Sequence, residues 1–159
     1  MTARLDPTAL SAPLYKSYLA ATMALEHSSI ELAVRDLVNI RVSQINGCAF
    51  CVDMHVKEAT LRHERPLRLH HLAIWRESGL FTPRERAALD WAEAVTALGP
   101  HGAPDALFDA VRAQLSEQEI SDLTFSVMMI NGWNRLSIAF RAEPGSQDAA
   151  FGLDKAGLN

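Results

Sequence analysis

The two cysteines of this chain, Cys48 and Cys51, lie three residues apart, and His55 follows Cys51 by four residues. If a helix begins near Cys48, residues at these spacings share one helix face. A thiol beside an imidazole can pass its proton to the ring, and the resulting thiolate is the reactive nucleophile. Two neighbouring thiols can also reduce a peroxide, because one becomes a sulfenic acid and the other displaces water to form a disulfide. An external thiol then reduces that disulfide, so the three residues predict redox chemistry that needs no bound cofactor.

Two physical effects favour different thiols as the one that peroxide attacks. The N-terminus of a helix stabilises an anion, which favours Cys48. His55 lies one turn beyond Cys51, which favours Cys51. A specific base contributes more than a dipole that water screens at an exposed helix end. The sequence therefore favours Cys51 as the peroxidatic thiol and Cys48 as the resolving thiol.

Two other interpretations use the same residues. A Cys-x-x-Cys pair is half of a zinc site, but a closed structural site needs four ligands. The sequence has no second pair, so the remaining ligands would have to come from histidines. The candidates are His55, His63, His70 and His71. In the second interpretation, the cysteines are small core residues beside a surface histidine.

Composition limits the class of protein. The chain has 159 residues, 48% of them apolar and 21% charged, which is typical of one globular domain. The net charge of -4 and the lack of a basic run argue against nucleic-acid binding. No apolar run approaches the ~20 residues that cross a membrane, and we expect no membrane partner. The N-terminus does not resemble a signal peptide, so we expect a cytoplasmic protein, where a close cysteine pair is typical of catalysis or metal binding.

Helical signals recur along the chain and strand signals do not. The sequence therefore predicts a single all-α domain of six or seven helices. Around the cysteines, Ser28 and Glu31 form a capping-box pattern that predicts a helix start. Asn46 and Gly47 are a stop signal, after which a new helix begins at Cys48.

Two further helix starts carry the same capping pattern. Thr82, Pro83 and Glu85 fit the N-cap, first and third positions of one helix. Ser116 and Glu119 begin another, whose apolar residues extend to Phe140 and occupy more than one face. That pattern predicts a central helix or a helix at a subunit interface. Residues 142–159 are predicted to form a mostly irregular tail.

Three segments in order resemble one known family. They are "DLVNIRVSQINGCAFCVDMH", "WRESGLFTPRERAALDWAEAVTAL" and "INGWNRLSIAF". Together they are similar to the AhpD-like alkylhydroperoxidase, or carboxymuconolactone decarboxylase, family, and the resemblance covers about residues 15–141. It implies an all-helical fold and a homo-oligomer, commonly a trimer or hexamer. It also implies reduction of a hydroperoxide substrate through the cysteine pair, with electrons from a dithiol or lipoyl-type reductant.

The resemblance adds one catalytic candidate and one departure. Members of the family usually carry a relay glutamate twelve positions before the first cysteine, and here that position is Asp36, which keeps the charge on a shorter arm. Well-characterised peroxidase members have a second histidine directly before the second cysteine, and here that residue is Phe50. An apolar neighbour tends to raise the pKa of a thiol. We therefore expect His55 to supply most of the activation.

Two other functions stay open. Some members of the family decarboxylate a lactone acid without a cofactor, although those enzymes generally do not depend on a Cys-x-x-Cys pair. The chain is alternatively a non-catalytic assembly protein in which the thiols act as a redox switch or bind zinc.

Overall fold

The computed structural model describes residues 2–158, and its class is all-α, as predicted. Within that range the chain forms nine α-helices, against the six or seven predicted. They are α1 (Pro7–Leu10), α2 (Ala12–Ala24), α3 (Leu32–Asn46), α4 (Ala49–Leu61), α5 (Pro66–His71), α6 (Pro83–Thr96), α7 (Asp105–Arg112), α8 (Glu117–Phe140) and α9 (Asp148–Phe151). Short 3₁₀ segments cover Leu25–His27, Leu72–Glu77 and Leu153–Ala156. The predicted number was too low partly because α1 and α9 have four residues each, too few to produce a periodic apolar pattern.

Helix α3 is the centre of the core and precedes the cysteines. Its fully buried apolar residues are Leu37, Val38, Ile40 and Val42. The predicted stop is confirmed, because Gly47 ends the helix in the left-handed conformation with φ 69°. The break places Cys48 directly before α4.

The predicted start of α3 is wrong. The helix begins at Leu32, with Glu31 as an N-cap residue that makes no side-chain capping bond. Glu31 instead accepts hydrogen bonds from Arg84, at 3.0 Å from Nε and 2.9 Å from Nη2. The capping box does not form because a distant arginine occupies the carboxylate that it needs.

Both other predicted helix starts are confirmed. Thr82 and Glu85 form a reciprocal capping box at α6, and Ser116 and Glu119 form another at α8. Helix α8 packs against α2, α3, α4, α6 and α7, which confirms the prediction of a central helix. It is the longest helix described, yet neither it nor another helix within residues 2–158 is long and apolar enough to cross a membrane.

The C-terminal segment is more ordered than a mostly irregular tail. It contains α9 and the 3₁₀ turn after it, and Leu153 in that turn is buried. The buried ammonium of Lys57 on α4 lies 2.9 Å from Asp53 Oδ2 and 2.6 Å from Asp148 Oδ2. The Gly145 amide donates to the same Asp53 oxygen at 3.0 Å. These contacts hold the tail against α4, which is the helix that carries Cys51 and His55.

Candidate active site

The two cysteines meet at the first turn of α4. Cys48 is the N-cap residue, with extended backbone angles of φ -88° and ψ 94°. Its sulfur accepts the backbone N–H of Cys51 at 3.4 Å and lies 2.9 Å from the Cys51 sulfur. Both thiols are free and almost fully buried, at 1% and 3% exposure. The predicted shared face is therefore present, and the two sulfurs are in direct contact.

This contact shifts the pKa values of the two thiols in opposite directions. The S–H of Cys51 donates to the Cys48 sulfur and lowers the pKa of Cys48 to about 6, against the opposing effect of burial. The Cys51 amide and the side chains of Ser137 and Asn134 lower that pKa further. The same hydrogen bond, burial and the charge on Cys48 raise the pKa of Cys51 far above its ordinary range. The hydrogen bond therefore favours the thiolate on Cys48, with the Cys51 S–H as its donor.

The geometry differs here from one expectation of the sequence. The sequence favours Cys51 as the activated thiol, whereas the N-cap position places the backbone N–H of Cys51 on the Cys48 sulfur. Phe50, which is half-buried against the core, was expected to raise the thiol pKa. The hydrogen bond to Cys48 and burial do raise the pKa of Cys51, which follows Phe50, whereas donors at the Cys48 sulfur outweigh burial and lower the pKa of that thiol.

His55 lies one turn beyond Cys51, but its hydrogen-bond partner is a carboxylate. Its Nδ1 is 2.7 Å from Glu58 Oε2. Among the hydrogen bonds of residues 2–158, none joins His55 to either sulfur. The Cys51 sulfur instead lies 3.8 Å from Ser137 Oγ, a weak contact across to α8. The imidazole is therefore beside the thiol pair without being the direct base for it.

Asp36 is close to His55 but is bound to a different group. The carboxylate is buried at 4% exposure and accepts a hydrogen bond from Arg62 Nη1 at 2.7 Å. The same nitrogen lies 3.9 Å from Glu58 Oε2, so Arg62 stands between the two carboxylates. Burial raises the pKa of Asp36 by more than the charge and hydrogen bond of Arg62 lower it. Within residues 2–158, Asp36 therefore interacts with the histidine only through its charge and makes no hydrogen bond to the ring or the thiols.

A cavity of about 580 Å³ opens beside these side chains. His55, Glu58, Asp36 and Arg62 line its polar side, and its apolar residues include Ile30, Met129, Ile130 and Trp133. The volume falls in the range of small-molecule sites. His55 is four residues from Cys51 on α4, and Trp133 is four residues from Ser137 on α8. Cys51 and Ser137 contact each other. The cavity is therefore one helical turn from the thiols.

Three residues of this site were not predicted from the sequence. Glu58 follows His55 by three positions, a helical spacing that brings side chains together. Ser137 and Asn134 are three apart on α8, and buried Asn134 donates to Ser43 at 3.0 Å and accepts from Asn46 at 2.8 Å. The spacing gave a signal for Glu58. Nothing in the sequence indicates which face of α8 meets the cysteines.

The histidines proposed as additional metal ligands lie elsewhere or bind other groups. His71 Nδ1 contacts Ser78 Oγ at 3.1 Å, and His63 adopts a positive φ of 66° just after α4. Between residues 2 and 158, no group of three or more His, Cys, Asp or Glu side chains is arranged to hold a metal ion.

Known proteins share both sequence and fold with this chain. The model of the carboxymuconolactone decarboxylase family matches residues 11–94. YdfG, an uncharacterised Bacillus subtilis protein, is 42% identical over 114 residues, 72% of this chain and 78% of YdfG. An Agrobacterium tumefaciens protein of unknown function, with AhpD-type antioxidant defence as its suggested role, superposes with a TM-score of 0.86. It is 38% identical and covers 90% of this chain and 98% of its own. The debrominase Bmp8 shares the fold at a TM-score of 0.78 and 19% identity, over 94% of this chain and 80% of Bmp8. The chain therefore belongs to the carboxymuconolactone decarboxylase family and has the AhpD-like fold.

Proposed function

We propose that this protein is a thiol-dependent peroxidase that reduces hydroperoxides through Cys48 and Cys51. The observation that carries the proposal is the 2.9 Å contact between a sulfur stabilised as a thiolate and a second, protonated thiol. Such a pair holds the nucleophile and the group that resolves its oxidised form in one place. Family membership and the suggested antioxidant role of the Agrobacterium relative support the same reaction class.

The proposed cycle has three steps. The Cys48 thiolate attacks one peroxide oxygen, so that an S–O bond forms, the O–O bond breaks, and the departing alkoxide takes up a proton. Cys51 then attacks the Cys48 sulfenic acid, which closes the disulfide and releases water. A dithiol or lipoyl-type reductant restores both thiols by exchange and leaves as its own disulfide. The peroxidatic role goes to Cys48 rather than to Cys51, because the donors at the start of α4 converge on the Cys48 sulfur.

The direct test measures peroxide consumption with hydrogen peroxide or cumene hydroperoxide and a small dithiol. We expect the unaltered protein to turn over and the Cys48→Ser/Cys51→Ser protein to be inactive. Glu77→Gln is a surface control, because Glu77 is exposed and remote in sequence from the site. Full activity of the double variant would exclude a thiol peroxidase. Decarboxylation of carboxymuconolactone that survives thiol blocking would replace the proposal with a lyase function.

A second measurement assigns the two thiols. After sub-stoichiometric peroxide, a sulfenic acid trap and mass spectrometry should label Cys48 in the Cys51→Ser protein. Cys48→Ser removes the hydrogen bond and charge of Cys48 that raise the pKa of Cys51, but burial still raises it, so the remaining thiol should take up little label. Label on Cys51 in the Cys48→Ser protein, with none on Cys48 in its counterpart, would reverse the assignment.

We also propose that the active form is a cytoplasmic homo-oligomer, a trimer or hexamer. None of the thirteen residues of α2 is buried, and the exposed apolar side chains Leu10 and Leu14 lie on or just before it. Phe125 and Met128 on α8 are also more than half exposed. Light scattering on the purified protein should give a mass that is a multiple of 17.5 kDa, and Leu14→Glu should lower it. A monomer at all concentrations would contradict this proposal.

A further inference from the structure

Glu58 provides the carboxylate that His55 binds. Both residues are on α4, three positions apart, and Glu58 Oε2 is 2.7 Å from His55 Nδ1. The side chains are mostly shielded, at 15% and 26% exposure for His55 and Glu58. A carboxylate at this distance accepts a hydrogen bond from the ring, and the bond made by one ring nitrogen determines the state of the other. The Nδ1–H is therefore directed at Glu58, and Nε2 carries the free lone pair of the neutral ring.

The charges around the pair keep Glu58 in the form that accepts this bond. Burial raises the pKa of Glu58. The hydrogen bond from His55 and the nearby charges of His55, Arg62 and Arg35 together lower it by more, so the net shift of the pKa is downward. Arg62 holds Asp36 at 2.7 Å and approaches Glu58 only at 3.9 Å. Glu58 is thus ionised with His55 as its close partner, while Asp36 is committed to Arg62.

We infer that Glu58, and not Asp36, is the positioning residue for His55 in the reaction of the cysteine pair. This inference rests on the proposed peroxidase function. Held by Glu58, the protonated ring gives its Nε2 proton to the alkoxide that leaves when the Cys48 thiolate breaks the O–O bond. The neutral ring then takes the proton of Cys51 as that sulfur attacks the sulfenic acid, and returns it to the departing hydroxide as water forms. One imidazolium proton and one thiol proton are consumed for each peroxide.

Nitrogen NMR of the histidine ring tests the positioning without requiring any activity. At about pH 8, above the ordinary titration range of imidazole, the ¹⁵N shifts report which nitrogen carries the proton. The chain has six histidines, so the His55→Asn protein assigns the signals. We expect the Nδ1–H tautomer in the unaltered protein, its loss in Glu58→Met, which has no comparable acceptor, and its retention in Asp36→Asn. Glu58→Gln should restore the tautomer, because the amide oxygen can accept the same hydrogen bond.

Single-turnover disulfide formation with peroxide provides the functional readout. Glu58→Met should slow it at least about tenfold, as expected for loss of the group that orients a proton-transfer imidazole. Glu58→Gln should recover most of the rate, Asp36→Asn should stay within about twofold of the unaltered protein, and Glu77→Gln should not change it. Circular dichroism tests whether each variant is folded, and Glu58→Ala, which also lacks an acceptor for the ring N–H, replaces Glu58→Met in both measurements if that protein does not fold.

Two outcomes would overturn the inference. One is an unchanged ring tautomer in Glu58→Met, and the other is a slow Asp36→Asn protein beside a normal Glu58→Met protein. Failure of the proposed function is distinct, because it would leave the unaltered protein without peroxide-dependent disulfide formation while the NMR result still stood.

Discussion

The lowered pKa of Cys48 predicts a thiolate at neutral pH, and a titration of the reduced protein measures it directly. With a pKa of about 6, the Cys48 thiol is ~90% ionised at pH 7, whereas an ordinary cysteine of pKa ~8.5 is ~3% ionised. Thiolate ultraviolet absorbance, which does not require reagent access to a buried sulfur, should therefore rise with an inflection near pH 6. The difference in thiolate population at pH 7 is about 30-fold.

Three variants separate the causes of that inflection. Cys51→Ala removes the S–H donor, the largest contribution, and should move the inflection upward by at least about one pH unit, or tenfold in ionisation constant. Cys48→Ser should remove the inflection near pH 6, because Cys51 loses the hydrogen bond and charge of Cys48 but keeps the burial that raises its pKa. His55→Ala should leave it in place, because the ring binds Glu58 rather than a sulfur.

The same shift predicts how stability depends on pH. A thiol whose pKa is lower in the folded state stabilises that state fully above its unfolded pKa, ~8.5, and the contribution is lost as the pH falls through about 6. The gain is at most about 3 kcal/mol for a shift of this size. Urea unfolding of the reduced protein should give midpoints that rise from pH 6 to pH 8.5 by an amount that Cys48→Ser abolishes. In the ultraviolet titration, a single inflection near pH ~8.5 that Cys51→Ala does not move would refute the lowered pKa of Cys48. An inflection that His55→Ala removes would refute the conclusion that His55 does not activate this thiol.

Three further predictions concern stability and the tail. Thr82→Ala removes the capping box with Glu85 and should cost about 1 kcal/mol in urea unfolding, and a loss below about 0.3 kcal/mol would contradict the capping role. Leu37→Ala leaves a cavity at a fully buried site and should cost about 2–5 kcal/mol by the same assay. Lys57→Met leaves Asp53 and Asp148 without their shared ammonium, so limited proteolysis should cut residues 142–158 faster, and an unchanged cleavage rate would show that Leu153 holds the tail without the ion pairs.

Local sequence signals predicted the parts of the fold that depend on nearby residues. The helix starts at Thr82 and Ser116 form as expected, because each capping residue and its glutamate are three positions apart and meet no stronger partner. The same pattern fails at Ser28, since the Glu31 carboxylate binds Arg84, which is 53 residues away in the sequence. A local pattern contains no information about such a distant competitor.

In the candidate site, too, contacts between nearby residues could be predicted from the sequence and contacts with distant residues could not. The contact between Cys48 and Cys51 follows from their spacing at the start of a helix, and the sequence predicted the shared face. The relation of Asp36 to the site did not follow from spacing, because the arginine that binds it lies 26 residues further along the chain. The number of residues between Asp36 and the cysteines does not indicate which cationic side chain binds the Asp36 carboxylate.

The placement of the charges removes from His55 the one task that the sequence predicted for it, activation of the thiol. The start of α4 and the Cys51 thiol stabilise the thiolate on Cys48, so no histidine is required to remove that proton. In the proposed peroxidase cycle the imidazole is thereby available for protons that move later, when an alkoxide and then a hydroxide leave. A thiolate made without His55 predicts that His55 variants keep the titration of Cys48 and lose rate only in the peroxide-dependent steps. Loss of both together would mean that a single proton path serves ionisation and leaving groups alike.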